Sequence, residues 1–418
     1  MDRVDDAQCD VATLTGAPPP EGAAPEGRAP AVARPAFLDV DADVPGVVRE
    51  RLRLVLAERT HRARQLDETF GDDVAARLER LALGGGKRVR PQFLWWGLRA
   101  CALPSDSRTG AALRLSAALE LLQCCALVHD DVMDGDLVRR GEPSLHAAVA
   151  GQYAAVAAGG HHRLGESAAI LAGDLALVWA DDLVADLDLP QPLSARLRSA
   201  WAVMRTEMIA GQYLDMHGEV TGTRSLVRAV RTACLKSALY TVERPLQLGA
   251  LLAGADQATT GALCSAGRCA GLAFQLHDDL RDLFTGSAGR PSGQDIRTGK
   301  PTYLVAVALA RAESTGDAAA REVLGRNLGR GDLDADGLRA VREAVVSTGA
   351  RHLVTRKIGR LLDTAHRRLS AAVLDPLGRG HLIALMHAAA GRPGPAAPGA
   401  NAPYRSADPR SPAKGRGR

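Results

Sequence analysis

Residues 119–134 read LELLQCCALVHDDVMD, and residues 269–282 read CAGLAFQLHDDLRD. Each is an apolar run that closes on His-Asp-Asp, two spacers and Asp. Apolar residues recur at spacings of three and four in both runs, the period of a helix with one buried face. On such a helix positions i and i+4 share a face, so Asp130 and Asp134 project together, as do Asp278 and Asp282. Carboxylates at the end of a buried helix are expensive when unpaired, and two such groups facing each other repel. A hard divalent cation removes that cost: Mg²⁺ takes oxygen ligands, keeps several waters and uses one or two carboxylates plus substrate phosphate oxygens. Acidic groups without Cys suit it better than zinc. Two carboxylate pairs across a bundle core could therefore hold several Mg²⁺ ions and, through them, a diphosphate. The plain alternative is two solvated helix ends that happen to be acidic, and it accounts for one copy more easily than for two. His129 and His277 stand one step from the acids and point elsewhere, toward packing or hydrogen bonding.

The same helical period continues outward on both sides. DVPGVVRERLRLVLAERT (43–60), SAAILAGDLALVWADDLVADL (167–187), AWAVMRTEMIAGQYLDMHGEV (200–220) and TACLKSALYTVERPLQLGALLAG (232–254) place apolar residues three and four apart, and no run alternates as a strand would. Gly, Pro and Ser punctuate GGGKRVRP (84–91), DGDLVRRGEPS (134–144), AAGGHHRLGES (157–167) and TGSAGRPSGQDIRTGKP (285–301). Ala, Leu and Val carry the apolar share while aromatics supply only 3% of residues, a mix that favours helices. The expectation is an all-α bundle of about ten or more helices around one central core, spanning about residues 37–390. The Pro-, Ala- and Gly-rich stretches 1–36 and 391–418 read as disordered tails.

A net charge of +4, spread over both signs, does not fit a nucleic-acid binder. No uninterrupted apolar run reaches the roughly 18 residues of a membrane span, and the N-terminus lacks a basic start and an apolar h-region. The seven cysteines include no CxxC pair, so they read as free thiols in a reducing, cytoplasmic setting. His161–His162, beside glycines, read as an exposed pair and not as a further metal site.

If carboxylates hold Mg²⁺, cations must hold the phosphates. They occur beside flexible segments: Lys87 and Arg90 in GGGKRVRP, Arg139 and Arg140 after the first acidic motif, Lys236 with Ser237, and Arg297 with Lys300 after the second. Arg offers a planar fork and Lys a point charge. GGGKRVRP is not a P-loop, because the GxxxxGK[ST] order is missing. Taken one at a time, these are ordinary solvated cations. Together with the acids and an apolar interior they describe a site for a diphosphate with a greasy tail.

These motifs, in order GGGKRVRP, ALVHDDVMDGDLVRRGEPSLH, GESAAILAGDLAL, GQYLD, LKSALYTVERPLQLG, GLAFQLHDDLRDLF and GRPSGQDIRTGKPT, resemble the trans-polyprenyl diphosphate synthases over about residues 45–390. That family condenses isopentenyl diphosphate with an allylic diphosphate. The resemblance implies that Asp130 and Asp134, supported by Asp131, hold Mg²⁺ on one side of the allylic diphosphate. Asp278, helped by Asp279 and Asp282, holds it on the other, with about two or three ions in all. Arg139, Lys236, Gln275 and Lys300 would contact the allylic diphosphate, and Lys87, Arg90 and Arg140 the isopentenyl diphosphate. Gln212 and Asp215 would line the same cavity, and Phe274 would sit near the homoallylic chain. Two positions depart from the family pattern. Gln123 stands seven residues before Asp130, where many members have His, and its amide can still donate a hydrogen bond. Arg290 replaces a frequent Lys.

The implied chemistry is ionisation, condensation and elimination, with the departed diphosphate taking the proton, since no protein base is evident. Cys125 and Ala126, one turn upstream of Asp130, are small. Bulky aromatics there would limit the tail in the family, so their absence suggests geranylgeranyl diphosphate, with Leu121 and Leu122 as the next stop. The alternative is that both merely pack on a neighbouring helix and another residue sets the length, leaving a farnesyl or longer product open. A catalytically silent subunit would usually have lost an acidic motif. A terpene cyclase would mix Asn, Ser and Glu in its second metal motif. The family is commonly homodimeric, and ALYTVERPLQLGALLAG is either core or interface.

Overall fold

The computed structural model of the protein describes residues 36–156, 159–286 and 292–395. Helices follow one another from Phe37 to Ala389. The expected tails fall almost wholly outside the described residues, and so does Arg290. The elements that build the site are α1 (Val44–Leu66), α2 (Val89–Cys101), α3 (Asp106–Asp134), α4 (His161–Ala185), α5 (Leu193–Thr221), α6 (Arg244–Ala253), α7 (Gln257–Phe284), α8 (Gln294–Thr298) and α9 (Ala350–Ala371). A π-helical stretch, Cys234–Glu243, leads into α6.

The long α3 is the centre of the bundle. Ser105 caps its start, accepting from the Arg108 N–H at 3.4 Å. Leu115, Leu119, Leu121 and Leu122 are fully buried, against Leu52 and Leu56 of α1, Phe93, Leu94 and Leu98 of α2, and Leu276 of α7 in one core. By length and composition Asp106–Met133 could cross a membrane, which corrects the expectation that no stretch would qualify. The helix tolerates scattered polar residues that an uninterrupted run does not. Because 78% of its apolar window is buried inside the molecule, the apolarity serves the core. ALYTVERPLQLGALLAG is settled as core: Leu246, Leu248, Gly249, Ala250 and Leu252 of α6 are buried.

Gly135, at φ +67°, stops α3 immediately after Asp134. A short hairpin succeeds it, the one departure from helix to strand among the described residues: β1 (Val138–Arg139) pairs antiparallel with β2 (Glu142–Pro143). Arg140 (φ +57°) and Gly141 (φ +87°) form the two-residue turn, the left-handed pair of a type I′ hairpin. Two small residues bring helices close where the site needs them. A Cβ on Gly211 of α5 would lie 2.1 Å from the Lys236 backbone nitrogen, and one on Gly271 of α7 would lie 2.4 Å from the Ala238 carbonyl. Both contacts pull α5 and α7 onto the π-helical stretch that carries Lys236.

Candidate active site

The helix dipole places its negative end at the C-terminus, and that is where both acidic motifs lie. Asp134 is the last residue of α3, and Asp282 is two residues from the end of α7. The carboxylates thus add negative charge to a negative pole, and the two helices meet the resulting cost in different ways.

Around α3 the protein supplies its own cations. The Lys236 ammonium donates to Asp130 at 3.1 Å and to Asp215 at 2.6 Å. Lys300 donates to Asp134 at 2.9 Å, with Asp215 and Glu219 each 3.7 Å away. The Gln212 amide donates to Asp130 at 2.9 Å. Burial pushes the Asp130 carboxyl up, but the charges of Lys236, Lys300 and Arg139 outweigh it and hold the group at about 2. Burial likewise opposes the charge on Lys236 and Lys300, and the surrounding aspartates win, raising both above the usual ammonium range.

Asp131 differs from its neighbours. It is 2% exposed, and Arg139 Nε donates to it at 2.6 Å. The same guanidinium also reaches Asp130 and Asp136, at 3.5 and 3.4 Å. In this geometry Asp131 fixes Arg139, and Arg139 in turn sits over the end of α3.

Around α7 cations are scarce among the described residues. The partner of Asp279 is a neutral amide, Gln275 Nε2 at 2.9 Å. Asp282 accepts the Asp295 backbone N–H at 3.1 Å. Arg281 stands 3.8 Å from Asp278 and is 42% exposed, too far and too wet to offset burial. Burial therefore pushes Asp278 up to about 6, and it raises Asp279 well above the ordinary range and Asp282 as well. Asp295, on α8, is pushed up to about 7 by burial and by the charge of Asp282. Asp295 and Glu219 were not among the expected site residues. Glu219 had a signal, since it lies four residues after Asp215 on one helix face.

The two lysines that pair with the α3 acids and Asp279 of α7 line one cavity of ≈ 120 Å³. Its wall includes Asp215, Lys236, Ser237, Gln275, Asp279 and Lys300. Among the described residues no three His, Cys, Asp or Glu side chains close a metal cage on their own. The donor set still fits Mg²⁺, which prefers an incomplete protein shell completed by water and phosphate oxygens. Buried Asp279 and half-buried Asp278 and Asp282, with no close cation among the described residues, are the observation that makes the fit. His129 Nε2 meets the Ile170 carbonyl at 3.1 Å, and His277 packs on Gly391.

The glycine-rich loop arrives from the other side. Arg88, in a left-handed conformation and 6% exposed, turns inward to an ion pair with buried Glu120 of α3 and to the Ala82 carbonyl at 2.6 Å. This buried pair, which the sequence does not single out, leaves Lys87 exposed at the rim, where its charge acts on Asp278. Arg140 donates to the Gly85 carbonyl at 2.7 Å and ties the hairpin to the loop. Arg90 donates to Thr241 Oγ1 at 3.0 Å. Gln123 accepts from the Tyr240 hydroxyl at 3.0 Å. Phe274 is half-buried on α7 beside Gln275. Arg297, one of the cations expected to serve the phosphates, donates to the Ser292 and Leu333 carbonyls at 2.6 and 3.3 Å. Cys125 is buried with its sulfur 3.8 Å from His129 Nδ1, whereas Ala126 is half-buried at the core's edge. His161 and His162 face each other with ring centroids 4.2 Å apart, and His162 is exposed.

The polyprenyl synthetase family model matches residues 73–343, a span that contains both acidic motifs and the glycine-rich loop. The chain belongs to this family. It is 34% identical over 259 residues to a short chain isoprenyl diphosphate synthase of Methanothermobacter thermautotrophicus, covering 61% of this chain and 71% of that protein. It is 35% identical over 274 residues to a farnesyl diphosphate synthase of Geobacillus stearothermophilus, covering 63% and 84%. Among solved structures, a geranylgeranyl pyrophosphate synthase of Corynebacterium glutamicum, complexed with isoprenyl diphosphate and magnesium, superposes with a TM-score of 0.79 at 36% identity. That match covers 84% of this chain and 98% of the other. The all-α fold is the fold of this family, and the protein is a polyprenyl diphosphate synthase, a prenyltransferase of the short-chain trans class.

Proposed function

We propose that the protein condenses isopentenyl diphosphate with an allylic diphosphate, with Mg²⁺, and that its main product is geranylgeranyl diphosphate. The observation that carries the site assignment is one cavity lined by Asp279 and by Lys236 and Lys300, the two cations that pair with Asp130 and Asp134. Asp130, Asp134, Asp278, Asp279 and Asp282 would hold the metal. When bound, Mg²⁺ would supply charge neutralisation of the leaving diphosphate. Lys236 and Lys300 would turn from Asp130 and Asp134 toward the diphosphate oxygens, with Gln212 and Arg139 keeping the carboxylates aligned. Lys87, Arg90, Arg140 and Gln123 would seat the isopentenyl diphosphate. The apolar helices would exclude water from the allylic cation, and the departing diphosphate would take the proton.

The preference for a geranylgeranyl product rests on the small Cys125 and Ala126 above fully buried Leu121 and Leu122. We take residues 37–390 as the catalytic body. The free thiols of Cys101, Cys124, Cys125, Cys234, Cys264 and Cys269 fit the cytoplasmic setting that goes with this reading. A homodimer is also part of the reading. Ile170, Leu171 and Val178 on α4, and Val203, Ile209 and Tyr213 on α5, leave apolar side chains exposed on neighbouring helices, and a second copy would cover them.

The test is a product assay with labelled isopentenyl diphosphate and dimethylallyl, geranyl or farnesyl diphosphate, with and without chelator. Chelator-sensitive geranylgeraniol after dephosphorylation is expected, and Ala126→Phe should shift it to farnesol. A farnesol product from the unaltered chain would overturn the length assignment. No elongation from any primer would overturn the activity.

A further inference from the structure

Tyr240 lies on the π-helical stretch, four residues after Lys236. It is 2% exposed and bridges two residues that the proposed function assigns to isopentenyl diphosphate. Its hydroxyl donates to Gln123 Oε1 at 3.0 Å. Its ring lies flat beneath Arg90, whose guanidinium carbon is 4.2 Å from the ring centroid. Thr241, the next residue, accepts from Arg90 Nη2 at 3.0 Å. Arg90 Nε, although buried, has no hydrogen-bond partner.

A glutamine side chain carries an acceptor and a donor on one planar group, and the two ends exchange when it flips. Only the amide end can serve a diphosphate. Gln123 stands two helical turns before Asp130 and so shares its face of α3. Burial raises the Tyr240 phenol well above its ordinary range, so the hydroxyl stays protonated at any working pH and remains available to donate. A donor fixed against Oε1 leaves Nε2 as the end that can donate to a diphosphate. The aromatic face holds Arg90 by cation–π attraction without consuming its donors.

We propose that Tyr240 is a positioning residue for isopentenyl diphosphate: its hydroxyl sets the orientation of the Gln123 amide, and its ring sets the guanidinium plane of Arg90. The proposal rests on the functional reading above and deepens it. The two roles separate chemically. Tyr240→Phe keeps the ring under Arg90 and removes the hydroxyl. Tyr240→Leu removes both.

The experiment is steady-state elongation on the full chain, varying isopentenyl diphosphate at saturating allylic primer, and then the reverse. The unaltered protein is the control for the functional reading: if it does not elongate, that reading fails before this one is reached. Given elongation, Tyr240→Phe should raise KM for isopentenyl diphosphate about three- to tenfold, the range one hydrogen bond supplies, with kcat and the allylic KM nearly unchanged. Tyr240→Leu should raise it further. In a Gln123→Leu background, Tyr240→Phe should add nothing. A general packing defect would instead lower kcat, shift both KM values and act equally in both backgrounds. An unchanged KM in Tyr240→Phe, or equal effects with and without the Gln123 amide, would overturn the proposal. Circular dichroism melts of each variant identify any that fail to fold, and Tyr240→Phe, the smallest change, carries the decision.

Discussion

The phrase His-Asp-Asp-x-x-Asp occurs at the ends of α3 and α7, and the two copies live in opposite electrostatic worlds. At α3 every acid has a cation: Lys236 for Asp130, Arg139 for Asp131, Lys300 for Asp134. Asp130 is held at about 2. At α7 the nearest partners among the described residues are an amide, a backbone N–H and a distant arginine, and Asp278 rises to about 6. Identical sequence therefore does not mean identical charge. The same carboxylates become a neutralised lattice or an unmet demand for cation, depending on what other helices bring to them. The α3 copy would take metal only when a diphosphate draws its lysines away. On the proposed function, the α7 copy would take metal without waiting for substrate.

The strongest way to break this contrast is to remove the cation that joins the two halves. Lys300 pairs with Asp134, and its charge also acts on Asp295 beside the second motif. Lys300→Ala should lower kcat by a factor on the order of 10²–10³, as loss of one preorganised donor to a developing anion does. Single-turnover elongation would measure it, and an activity within about threefold of the parent would be incompatible with a central role.

A sharper test uses opposite signs. Asp130→Asn strips Lys236 of one partner and should lower the melting temperature of the metal-free protein by about 2–4 °C. Asp278→Asn removes a carboxylate that no close cation among the described residues neutralises and should raise it by about 1–2 °C, a modest gain because the side chain is 32% exposed. Both should impair elongation. Two shifts of the same sign, read by differential scanning fluorimetry, would erase the contrast.

Much of this site is legible in the sequence. The acids at i and i+4, Lys236, Lys300, Gln212 and Asp215 are all marked by residue type, helical spacing or family likeness, and the structure gathers them. What spacing cannot reveal is partnership across the chain. Lys300 lies 166 residues from Asp134, so nothing local says which acid it serves. Asp131 reads as a supporting metal ligand because it sits inside the motif, and spacing alone does not show its burial against Arg139. Arg88 draws no notice between Lys87 and Arg90, because a left-handed residue turning inward to Glu120 leaves no trace in periodicity. Asp295 is hidden in a Gly-rich segment, where the sequence carries no helical face from which to judge burial.

The smallest expected effect is a pH dependence. Asp278 and Asp295 have folded values of about 6 and 7, above the ordinary 3.8. Between those limits the folded chain holds protons that the unfolded chain has released, so these two groups make stability fall as pH rises from about 4 to 7. Asp130, with a folded value of about 2, contributes stability above its unfolded value that is lost as pH falls from about 4 toward 2. Because metal competes with protons for the α7 carboxylates, the rise in melting temperature given by Mg²⁺ should be larger at about pH 7.5 than at about pH 5. A metal effect independent of pH would count against it.

The most direct measurement is Mn²⁺ binding without substrate, followed by electron paramagnetic resonance of the free ion, on the unaltered protein, Asp130→Asn and Asp278→Asn. The account predicts that Asp278→Asn loses the tightest binding while Asp130→Asn keeps it, since the first motif is already filled by lysine. Loss in Asp130→Asn with retention in Asp278→Asn would contradict it.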